Sequence, residues 1–525
     1  MALAGKSLIG FSTGRGTGAS FHALNPATGT QLEPSFISAT QSDVDAAARL
    51  ASDAFAEFGQ TSGKRKSAFL RRIAERIETL GNDIVERANL ETALPVARLQ
   101  SELGRTCNQL RMFADLVQEG SWVDARIDHP EPARKPVPKP DIRSMLRPLG
   151  PVAVFGSSNF PLAFSVSGGD TASALAAGCP VIVKAHPAHP GTSELVAVAM
   201  QSVVREFSLP EGTFSLLFDA GYDVGLELVR HPSIKAVGFT GSRKAGHALM
   251  SVASSRPEPV PVYAEMGSIN PVFLLPGAIK ARSLEIASGL HASVTLGVGQ
   301  FCTNPGLVFL QDGDAAQKFL KELERLIGGT AVATMLTSGI STAYRAGVDK
   351  FARTKGVQVR ARVLQSDGVA QGGAVLFTTD AETFLSNRGL MDEVFGPSTI
   401  VVLCKDSEQL VTCAQALEGQ LTATIHATDE EMASHKNLFS VLETKVGRLV
   451  VNGFPTGVEV CHSMVHGGPY PATSDGRSTS VGTRAIQRFT RPVCYQNFSD
   501  AMLPDELKQA NPPGILRLVN GKWER

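Results

Sequence analysis

The 525-residue sequence lacks the features that mark metalloproteins, disulfide-bonded proteins and membrane proteins. Its seven cysteines are scattered without a Cys-x-x-Cys pair, which argues against a disulfide framework or a zinc site and fits a reducing compartment. The histidines show no His-Glu-x-x-His or similar spacing, so metal catalysis has no support. No apolar run reaches the roughly 18 residues of a membrane span, and the N-terminus has no secretory pattern. We therefore expect a cytoplasmic protein that holds no metal.

The sequence also lacks an excess of charge of either sign. Lys plus Arg and Asp plus Glu both number 50, so the formal net charge is zero. This balance gives no reason to expect a nucleic-acid or membrane-surface partner. A hydrophobic fraction of 43% in a chain of this length allows two or three domains with a large core.

Hydrophobic periodicity predicts an α/β protein. Helical patterns begin near Ser42, with Ser42 as a cap, and continue over residues 65–88 and 95–117. A proline-rich segment, 124–150, then leaves the main body. Two sets of strands alternating with helices follow, which indicates parallel, doubly wound sheets. The strands are predicted at 152–155, 180–184, 213–218, 233–239, 271–275, 307–310, 374–378, 398–403 and 421–425, and the tail at 501–525 is expected to be irregular.

One cysteine stands out because glycines surround it. Cys302 lies within residues 296–306, which include Gly297, Gly299 and Gly306 in an apolar neighbourhood. A single cysteine is most often a small packing residue. Flanking glycines, however, let backbone approach a ligand and let amide groups point at a developing oxyanion. Cys302 is therefore a candidate nucleophile.

Four more candidates follow predicted strands, where ligands of doubly wound sheets bind. Asn159 is either a turn residue or an amide donor to an oxyanion. Lys184 either reaches solvent or contacts ribose hydroxyls or a phosphate. The turn of Thr240, Gly241 and Ser242 precedes a helix and can serve as an anion site, or its glycine can serve turn geometry alone. Glu265 is either exposed or, beside a thiol, a general base for water.

Together these stretches resemble the NAD(P)-dependent aldehyde dehydrogenase superfamily. The similar motifs occur in the family's order at residues 158–161, 184, 239–242, 265–271, 299–306 and 393–397. The resemblance implies a Rossmann-type dinucleotide-binding domain (1–123, 148–261 and 447–481) and an α/β catalytic domain (262–446). It also implies an oligomerisation β-arm (124–147 and 482–500) with a C-terminal tail (501–525). A homodimer or homotetramer is the expected assembly.

The resemblance also assigns chemical roles. The Cys302 thiolate would attack the aldehyde, and the Asn159 amide with the Cys302 backbone N–H would hold the oxyanion. Glu265 would activate the water that hydrolyses the thioester. Cofactor-binding roles would fall to Lys184, Thr240, Gly241, Ser242, Glu393 at the nicotinamide ribose, and Phe395 behind the nicotinamide ring.

Cofactor choice depends on the position three residues after Lys184. Many NAD-preferring relatives have a glutamate there, which binds the ribose hydroxyls and repels a 2′-phosphate. This sequence has Pro187 instead, so the repulsion is absent and Lys184 can pair with the phosphate. We expect that NADP is accepted alongside NAD.

The substrate expectation comes from departures from the commonest pattern. Ser158 replaces a frequent tryptophan, residues 265–269 read EMGSI, and residues 466–473 read HGGPYPAT. These features resemble the α-ketoglutaric semialdehyde (2,5-dioxopentanoate) dehydrogenase branch of sugar-acid and hydroxyproline catabolism. An NADP-dependent fatty aldehyde branch shares much of the pattern. The candidate substrate-binding residues are Arg105 and Phe160. Arg105 falls where the family's tunnel residues lie and can bind a carboxylate; the alternative is a surface ion pair with Glu102.

Two other classes of function were weighed. A CoA-acylating enzyme would use a thiol in place of water, and Glu265, as the base for water, argues against it. A binding scaffold without activity is disfavoured because Cys302, Asn159 and Glu265 are all present. His462 and His466, near the C-terminal motif, either reach the active site or have surface or packing roles, and the second is expected.

Overall fold

The computed structural model describes residues 2–364 and 368–525. In the N-terminal part, β1 and β2 form a short hairpin, β3 and β4 pair with each other, and four helices follow. These elements are β1 (Leu8–Ile9), β2 (Ser12–Thr13), β3 (Ser20–Leu24), β4 (Gln31–Ile37), α1 (Gln41–Phe58), α2 (Gly63–Thr79), α3 (Gly81–Thr92) and α4 (Val96–Glu119).

Two details of these helices differ from the sequence predictions. The cap of α1 is Thr40, not Ser42, because Thr40 and Asp43 form a reciprocal capping box. The single helix predicted at 65–88 is two helices, since the chain breaks at Leu80 and restarts at Gly81. The helix predicted at 95–117 is confirmed as α4.

Residues 126–265 supply the arm strands and the first doubly wound unit. The elements are β5 (Arg126–Asp128), β6 (Ile142–Pro148), β7 (Val152–Phe155), α5 (Gly169–Ala177), β8 (Val181–Lys184), α6 (Pro190–Glu206), β9 (Phe214–Leu217), α7 (Asp223–Arg230), β10 (Ala236–Thr240), α8 (Arg243–Ser254) and β11 (Val262–Glu265).

Residues 272–451 supply the second unit, and three strands close the chain. The elements are β12 (Val272–Leu274), α9 (Pro276–Thr295), β13 (Leu307–Gln311), α10 (Asp314–Gly328), β14 (Ala333–Thr334), α11 (Ser338–Ala352), β15 (Gln358–Arg362), β16 (Gln371–Gly372), β17 (Val375–Asp380), α12 (Ala381–Ser386), β18 (Ser398–Cys404), α13 (Ser407–Ala416), β19 (Thr422–His426), α14 (Asp429–Ser434), α15 (Lys436–Glu443), β20 (Arg448–Val451), β21 (Thr490–Gln496), β22 (Arg517–Val519) and β23 (Lys522–Glu524).

The first sheet has the order β11-β10-β7-β8-β9-β1-β2, and its first five strands are parallel. Helices α2, α4, α5 and α6 pack in one core cluster with it, while α1, α7 and α8 contribute to another. The predicted doubly wound α/β architecture is therefore confirmed. Thr240 lies opposite Glu265 and Phe155 opposite Lys184, so these candidate residues share the carboxyl edge of one sheet.

The second sheet has the order β15-β17-β18-β13-β12-β19-β20, and all neighbours except β15 and β17 are parallel. Strand β20 pairs with β19, so residues 448–451 belong to this sheet. The sequence prediction had assigned them, with 447–481, to the dinucleotide-binding domain. The following segment does return to the first sheet, where residue 473 bridges to Glu265.

A third sheet forms the arm, in the order β21-β6-β5-β22-β23. The predicted pairing of the 124–150 segment with a strand near 484–498 is present as the antiparallel β6 and β21. The tail was expected to be irregular, and that expectation was wrong, because β22 pairs with β5 and then with β23. A turn at Asn520 and Gly521, both with positive φ, lets the tail fold back on itself. Among the described helices, none combines the length and apolar character needed to cross a bilayer.

Candidate active site

The loop that carries Cys302 has an unusual backbone and a firm anchor. Gly297 and Val298 have φ values of 55° and 58°, a conformation that is rare for a β-branched residue such as valine. The side chain of Asn270 donates to the carbonyls of Cys302 at 2.8 Å and Asn304 at 3.0 Å. The strained turn is therefore held in place from the end of the neighbouring strand.

Gly299 brings a second loop against the cysteine loop. A Cβ atom at this position would overlap the backbone of Gly396 and the nitrogen of Pro397, so only glycine fits. Asn304 adds a hydrogen bond from Nδ2 to the Gly396 carbonyl at 3.2 Å. The two motifs at 299–306 and 393–397 thus form one packed unit.

Glu265, His466 and Cys302 meet at the edge of the first sheet. Nε2 of His466 lies 3.1 Å from Oε1 of Glu265 and 3.4 Å from Sγ of Cys302. Ser480 donates to the other carboxylate oxygen, Oε2, at 3.1 Å. Glu265 and His466 are buried, and Cys302 is partly accessible. The cluster can therefore meet a substrate through the thiol while the two partners stay enclosed.

The C-terminal segment positions the histidine by pairing with β11. Met266 donates its N–H to the carbonyl of Ala472 at 2.8 Å, and the N–H of His466 bonds Oγ1 of Thr479 at 2.8 Å. The expectation of a surface or packing role for His466 was therefore wrong, whereas His462 is exposed. A single histidine has no spacing that identifies it. The signal in the sequence that could have identified His466 as a site residue was its position at the start of the altered HGGPYPAT motif.

The charges around the thiol favour a neutral resting cysteine. Removal from water, followed by the nearby carboxylate of Glu265, raises the pKa of Cys302 well above its usual value, and Arg105 opposes the shift. Burial alone would raise the pKa of Glu265. Contact with His466 and the hydrogen bonds from Ser480 and Cys302 outweigh burial and leave that pKa below its usual value. Glu265 is therefore ionised and able to accept a proton.

Asn159 lies beside the cysteine loop, as the sequence predicts. Its Nδ2 donates to the backbone carbonyl of Gln300 at 3.1 Å, and the backbone carbonyl of Asn159 accepts from Arg98 at 2.7 Å. Gln300 is held in turn by the N–H of Leu336 at 2.9 Å. An amide group carries two N–H hydrogens, so Asn159 retains one for another acceptor.

Arg105 does not form the surface ion pair that was the alternative interpretation. No ion pair within 4.0 Å links Arg105 and Glu102 in residues 2–364 and 368–525. Instead, Oε1 of Glu102 accepts from the backbone N–H groups of Leu162 at 2.9 Å and Ala163 at 3.0 Å. The side chain of Glu102 therefore holds the loop that follows Asn159.

The guanidinium of Arg105 lies over aromatic rings and has unused donors. Its central carbon is 5.7 Å from the ring centre of Phe160 and 5.4 Å from that of Phe164. Nε and Nη2 are buried and have no hydrogen-bond partner within the described chain. Buried donors without a partner are costly, and a carboxylate ligand would satisfy both.

The predicted cofactor turn opens a helix toward solvent. Ser242 caps α8 by accepting from the N–H of Ala245 at 3.3 Å, and Gly241 and Ser242 are exposed. Gly241 donates its own N–H to the carbonyl of Glu265 at 3.0 Å, and Thr240 is half-buried. The other amides in the first turn of α8 could therefore donate to a pyrophosphate.

Lys184 is buried at the end of β8. Its Nζ donates to the carbonyl of Asp219 at 2.8 Å, and burial lowers the pKa of Lys184 to about 8, which Asp219 partly opposes. Pro187 is half-buried in the loop that follows. A nearby phosphate would stabilise the ammonium form.

Glu393 and Phe395 line a small pocket beside the cysteine loop. Its wall includes Ser268, Gly299 and Phe301. A Cβ atom at Gly267 would lie 2.6 Å from Oε2 of Glu393, so glycine is needed for this close approach.

The fold and the cluster of a thiol, a carboxylate and an amide define a class of enzymes, and residues 13–492 match the Aldehyde dehydrogenase family. The chain belongs to that family of oxidoreductases. Over 525 residues, 100% of both chains, it is 50% identical to alpha-ketoglutaric semialdehyde dehydrogenase 2 of Azospirillum brasilense. It is 45% identical to alpha-ketoglutaric semialdehyde dehydrogenase of Acinetobacter baylyi, over 97% of this chain and 98% of the relative.

Solved structures agree on the fold. Betaine aldehyde dehydrogenase of Staphylococcus aureus superposes with a TM-score of 0.80 at 19% identity, covering 94% of this chain and 95% of that one. The NADP-dependent glyceraldehyde-3-phosphate dehydrogenase of Bacillus halodurans, solved with NADP, gives a TM-score of 0.80 at 21% identity, covering 94% and 99%. At these identities the likeness concerns the fold alone.

Proposed function

We propose that this protein oxidises α-ketoglutaric semialdehyde to 2-oxoglutarate with NADP or NAD. The observation that carries the proposal is the buried guanidinium of Arg105, which is unpaired in the described residues and close enough to influence the charge of Cys302. A substrate with an aldehyde at one end and a carboxylate at the other can reach both groups. Full-length relatives named for this substrate support the same choice.

The first step belongs to Cys302, Glu265 and Asn159. The thiol proton passes to the carboxylate of Glu265, and the sulfur forms a bond to the aldehyde carbon. The carbonyl oxygen becomes an oxyanion, which the second N–H of Asn159 and the backbone N–H of Cys302 stabilise. A bound nicotinamide dinucleotide supplies the hydride acceptor that turns this adduct into a thioester.

The second step is hydrolysis. After its carboxyl group returns the first proton to solvent, Glu265 takes a proton from water, and the resulting hydroxide attacks the thioester carbonyl. The carbon–sulfur bond breaks, the carboxylic acid leaves, and Cys302 is free again. His466 and Ser480 donate to the two carboxylate oxygens and keep Glu265 oriented and ionised.

The cofactor would be held by residues from both units. The first turn of α8, capped by Ser242, would bind the pyrophosphate, and Lys184 would bind the adenosine ribose or its 2′-phosphate. Glu393 would bind the nicotinamide ribose, and Phe395 would support the ring. Pro187 places no negative charge beside the ribose, which supports the use of NADP.

We also propose that the arm joins two copies of the chain. The β21 edge of the arm sheet is open, and large apolar residues on the arm and tail are exposed, among them Phe498, Met502 and Trp523. Exposed apolar side chains of this size are typical of interfaces.

The test compares α-ketoglutaric semialdehyde with pentanal, an aldehyde of equal chain length without a carboxylate, and with a long-chain aldehyde. Initial rates of NADPH and NADH formation give kcat/KM for each. A strong preference for the aldehyde acid is expected, and Arg105→Met should reduce that preference by about 10–100-fold, the value of charged hydrogen bonds. Arg111→Met, on the same helix but paired with Glu78, is the matched control.

Other outcomes would change the assignment. A preference for the long-chain aldehyde would make the protein a fatty aldehyde dehydrogenase. Product formation that depends on CoA would indicate acyl transfer to a thiol. An unchanged preference in Arg105→Met would remove Arg105 from the substrate site.

A further inference from the structure

The cluster of Cys302, His466 and Glu265 has the composition of a metal site. Each residue offers one ligand atom, and the three atoms lie within 4.8 Å of one another. The donors are a sulfur, an imidazole nitrogen and a carboxylate oxygen, which is a donor set that suits Zn²⁺. Criteria based on short sequence spacing miss it, because the ligands come from three separate segments of the chain.

Two of the three ligand spacings are close to those of tetrahedral coordination. With Zn–S near 2.3 Å and Zn–N and Zn–O near 2.0–2.2 Å, a tetrahedral ion places sulfur and nitrogen about 3.5 Å apart, and nitrogen and oxygen about 3.4 Å apart. The corresponding distances here are 3.4 Å from Sγ to Nε2 and 3.1 Å from Nε2 to Oε1. These two distances need shifts of a few tenths of an ångström, and the third pair, Sγ and the carboxylate oxygen, lies within 4.8 Å.

The surroundings provide support and an entrance. Ser480 donates to Oε2 of Glu265 and fixes the carboxylate with Oε1 beside Nε2 of His466. A bound cation would replace the hydrogen bond between Oε1 and Nε2, with the ring proton of His466 on Nδ1. The backbone of His466 is held by Thr479. Cys302 is partly accessible, so an ion can arrive from the substrate side and keep a water as its fourth ligand.

The charges around the site determine how tightly it binds a cation. Thiolate and carboxylate together neutralise a divalent ion, and binding releases the thiol proton. Arg105 faces the same thiol and weakens the attraction for a cation. A site of this kind is expected to exchange its metal with the medium and not to hold it permanently.

We propose that Cys302, His466 and Glu265 bind a thiophilic divalent cation, with Zn²⁺ preferred, and that the bound ion reversibly inhibits the enzyme. It would occupy the nucleophile and the general base together, so neither thiohemiacetal formation nor hydrolysis can proceed. Aldehyde and metal would compete for the same sulfur. The inference concerns metal binding and does not depend on which aldehyde is the substrate.

The experiment measures binding directly. Because Cys461 and Cys494 are also accessible, the parent protein carries Cys461→Ser and Cys494→Ser to remove adventitious sites. Co²⁺ is the probe, since a thiolate ligand gives it a near-ultraviolet charge-transfer band, and Zn²⁺ is titrated in competition. We expect one ion per chain, loss of the band in Cys302→Ser, and Zn²⁺ affinity at least about tenfold weaker in His466→Asn.

His462→Asn is the matched control, because His462 lies in the same segment but is exposed and outside the cluster. It should bind both metals like the parent. In the parent, Zn²⁺ should also slow alkylation of Cys302 by iodoacetamide, and EDTA should restore the original rate. This last measurement needs no substitution in the cluster.

The proposal fails if the parent binds no stoichiometric ion, or if His466→Asn and His462→Asn bind Zn²⁺ equally well. It also fails if Zn²⁺ leaves the alkylation rate of Cys302 unchanged. A protein that binds Zn²⁺ as expected but oxidises no aldehyde acid would contradict the proposed function and leave the metal site standing.

Discussion

Glu265 takes part in both proposed chemical steps, and each of its carboxylate oxygens has a different partner. Oε1 faces His466, which also faces the thiol, and Oε2 is held by Ser480. Enclosure of the carboxylate would by itself favour its neutral form, and these donors keep it charged. A buried, ionised carboxylate beside a thiol can take a proton first from sulfur and later from water.

Replacing Glu265 with glutamine should separate those steps. In Glu265→Gln the amide keeps the shape but cannot accept a proton, so thioester hydrolysis slows by about 10²–10⁴. The same change removes the carboxylate charge that raises the pKa of Cys302, so the thiol loses its proton to solvent more readily and the first step continues. Under rapid mixing, NADPH should appear in a burst of at most one equivalent per chain and then slowly. A slow linear trace without a burst would show that Glu265 acts mainly on the thiol.

Arg105 should tune the thiol even when the substrate carries no carboxylate. Removal from water and the Glu265 carboxylate raise the pKa of Cys302, and Arg105 lowers it. Because the thiolate is the nucleophile, kcat/KM for pentanal should rise with pH through this pKa. In Arg105→Met the rise should move to higher pH.

The measurement is the pH profile of kcat/KM, supported by the pH dependence of Cys302 alkylation. Arg111→Met should keep the profile of the unaltered protein, since Arg111 pairs with Glu78 on the outside of the helix. If Arg105→Met leaves the pH profile unchanged, the charge of Arg105 lies too far from Cys302 to affect the pKa of the thiol.

At the scale of elements, the cysteine loop and the 393–397 loop support each other through a close backbone contact. Gly299 has φ of 66°, and any Cβ there would overlap Gly396. Gly299→Ala should therefore destabilise the fold by about 2–4 kcal/mol, from overpacking and a left-handed alanine, and reduce kcat.

Gly328→Ala is the control for Gly299→Ala. Gly328 lies in α10, where a Cβ would meet nothing within 4 Å, so alanine should be neutral or slightly stabilising. Chemical denaturation and initial rates measure the two effects. Equal stability of the two variants would contradict the contact between the loops.

Much of this arrangement could be predicted from the sequence, because periodicity depends on local burial. The strands ending at Phe155, Lys184 and Phe239 are buried runs in the sequence, and parallel pairing places their ends together. Cys302 and Asn159 could be assigned to the site only from the ordered set of motifs, because each could equally have an ordinary structural role. The geometry then placed Asn159 beside the cysteine loop, with its amide on Gln300.

The remainder depended on long-range contacts that leave no periodic signal. His466 joins Glu265 across 201 residues, and the pairing of residues 472–474 with residues 264–266 brings them together. The tail strands β22 and β23 have three residues each, which is too short to show an alternating pattern, so their sequence resembles a loop. Their structure comes from the β5 edge on which β22 docks.

At the scale of the whole molecule, the arm stands apart from the two doubly wound units. Its own small core includes Ile127, Met145 and Leu507, so it folds as a separate layer. A layer of this size with open edges and exposed apolar residues gains stability from a partner. A second copy of the chain is the partner that the family resemblance favours.

The assembly should therefore weaken when charge is placed on the arm. Phe498, 43% exposed, and Trp523, 58% exposed, are accessible in the isolated chain, so Phe498→Asp and Trp523→Asp should leave the fold intact. Burying a carboxylate at an interface without a partner is costly, so the mass measured by light scattering should shift toward the monomer as the protein is diluted. Leu284→Asp, at a 52% exposed position on α9 in the second unit, should keep the mass of the unaltered protein. If all three variants keep the same mass at every concentration, the copies must join through another surface, and the exposed arm would need a different partner.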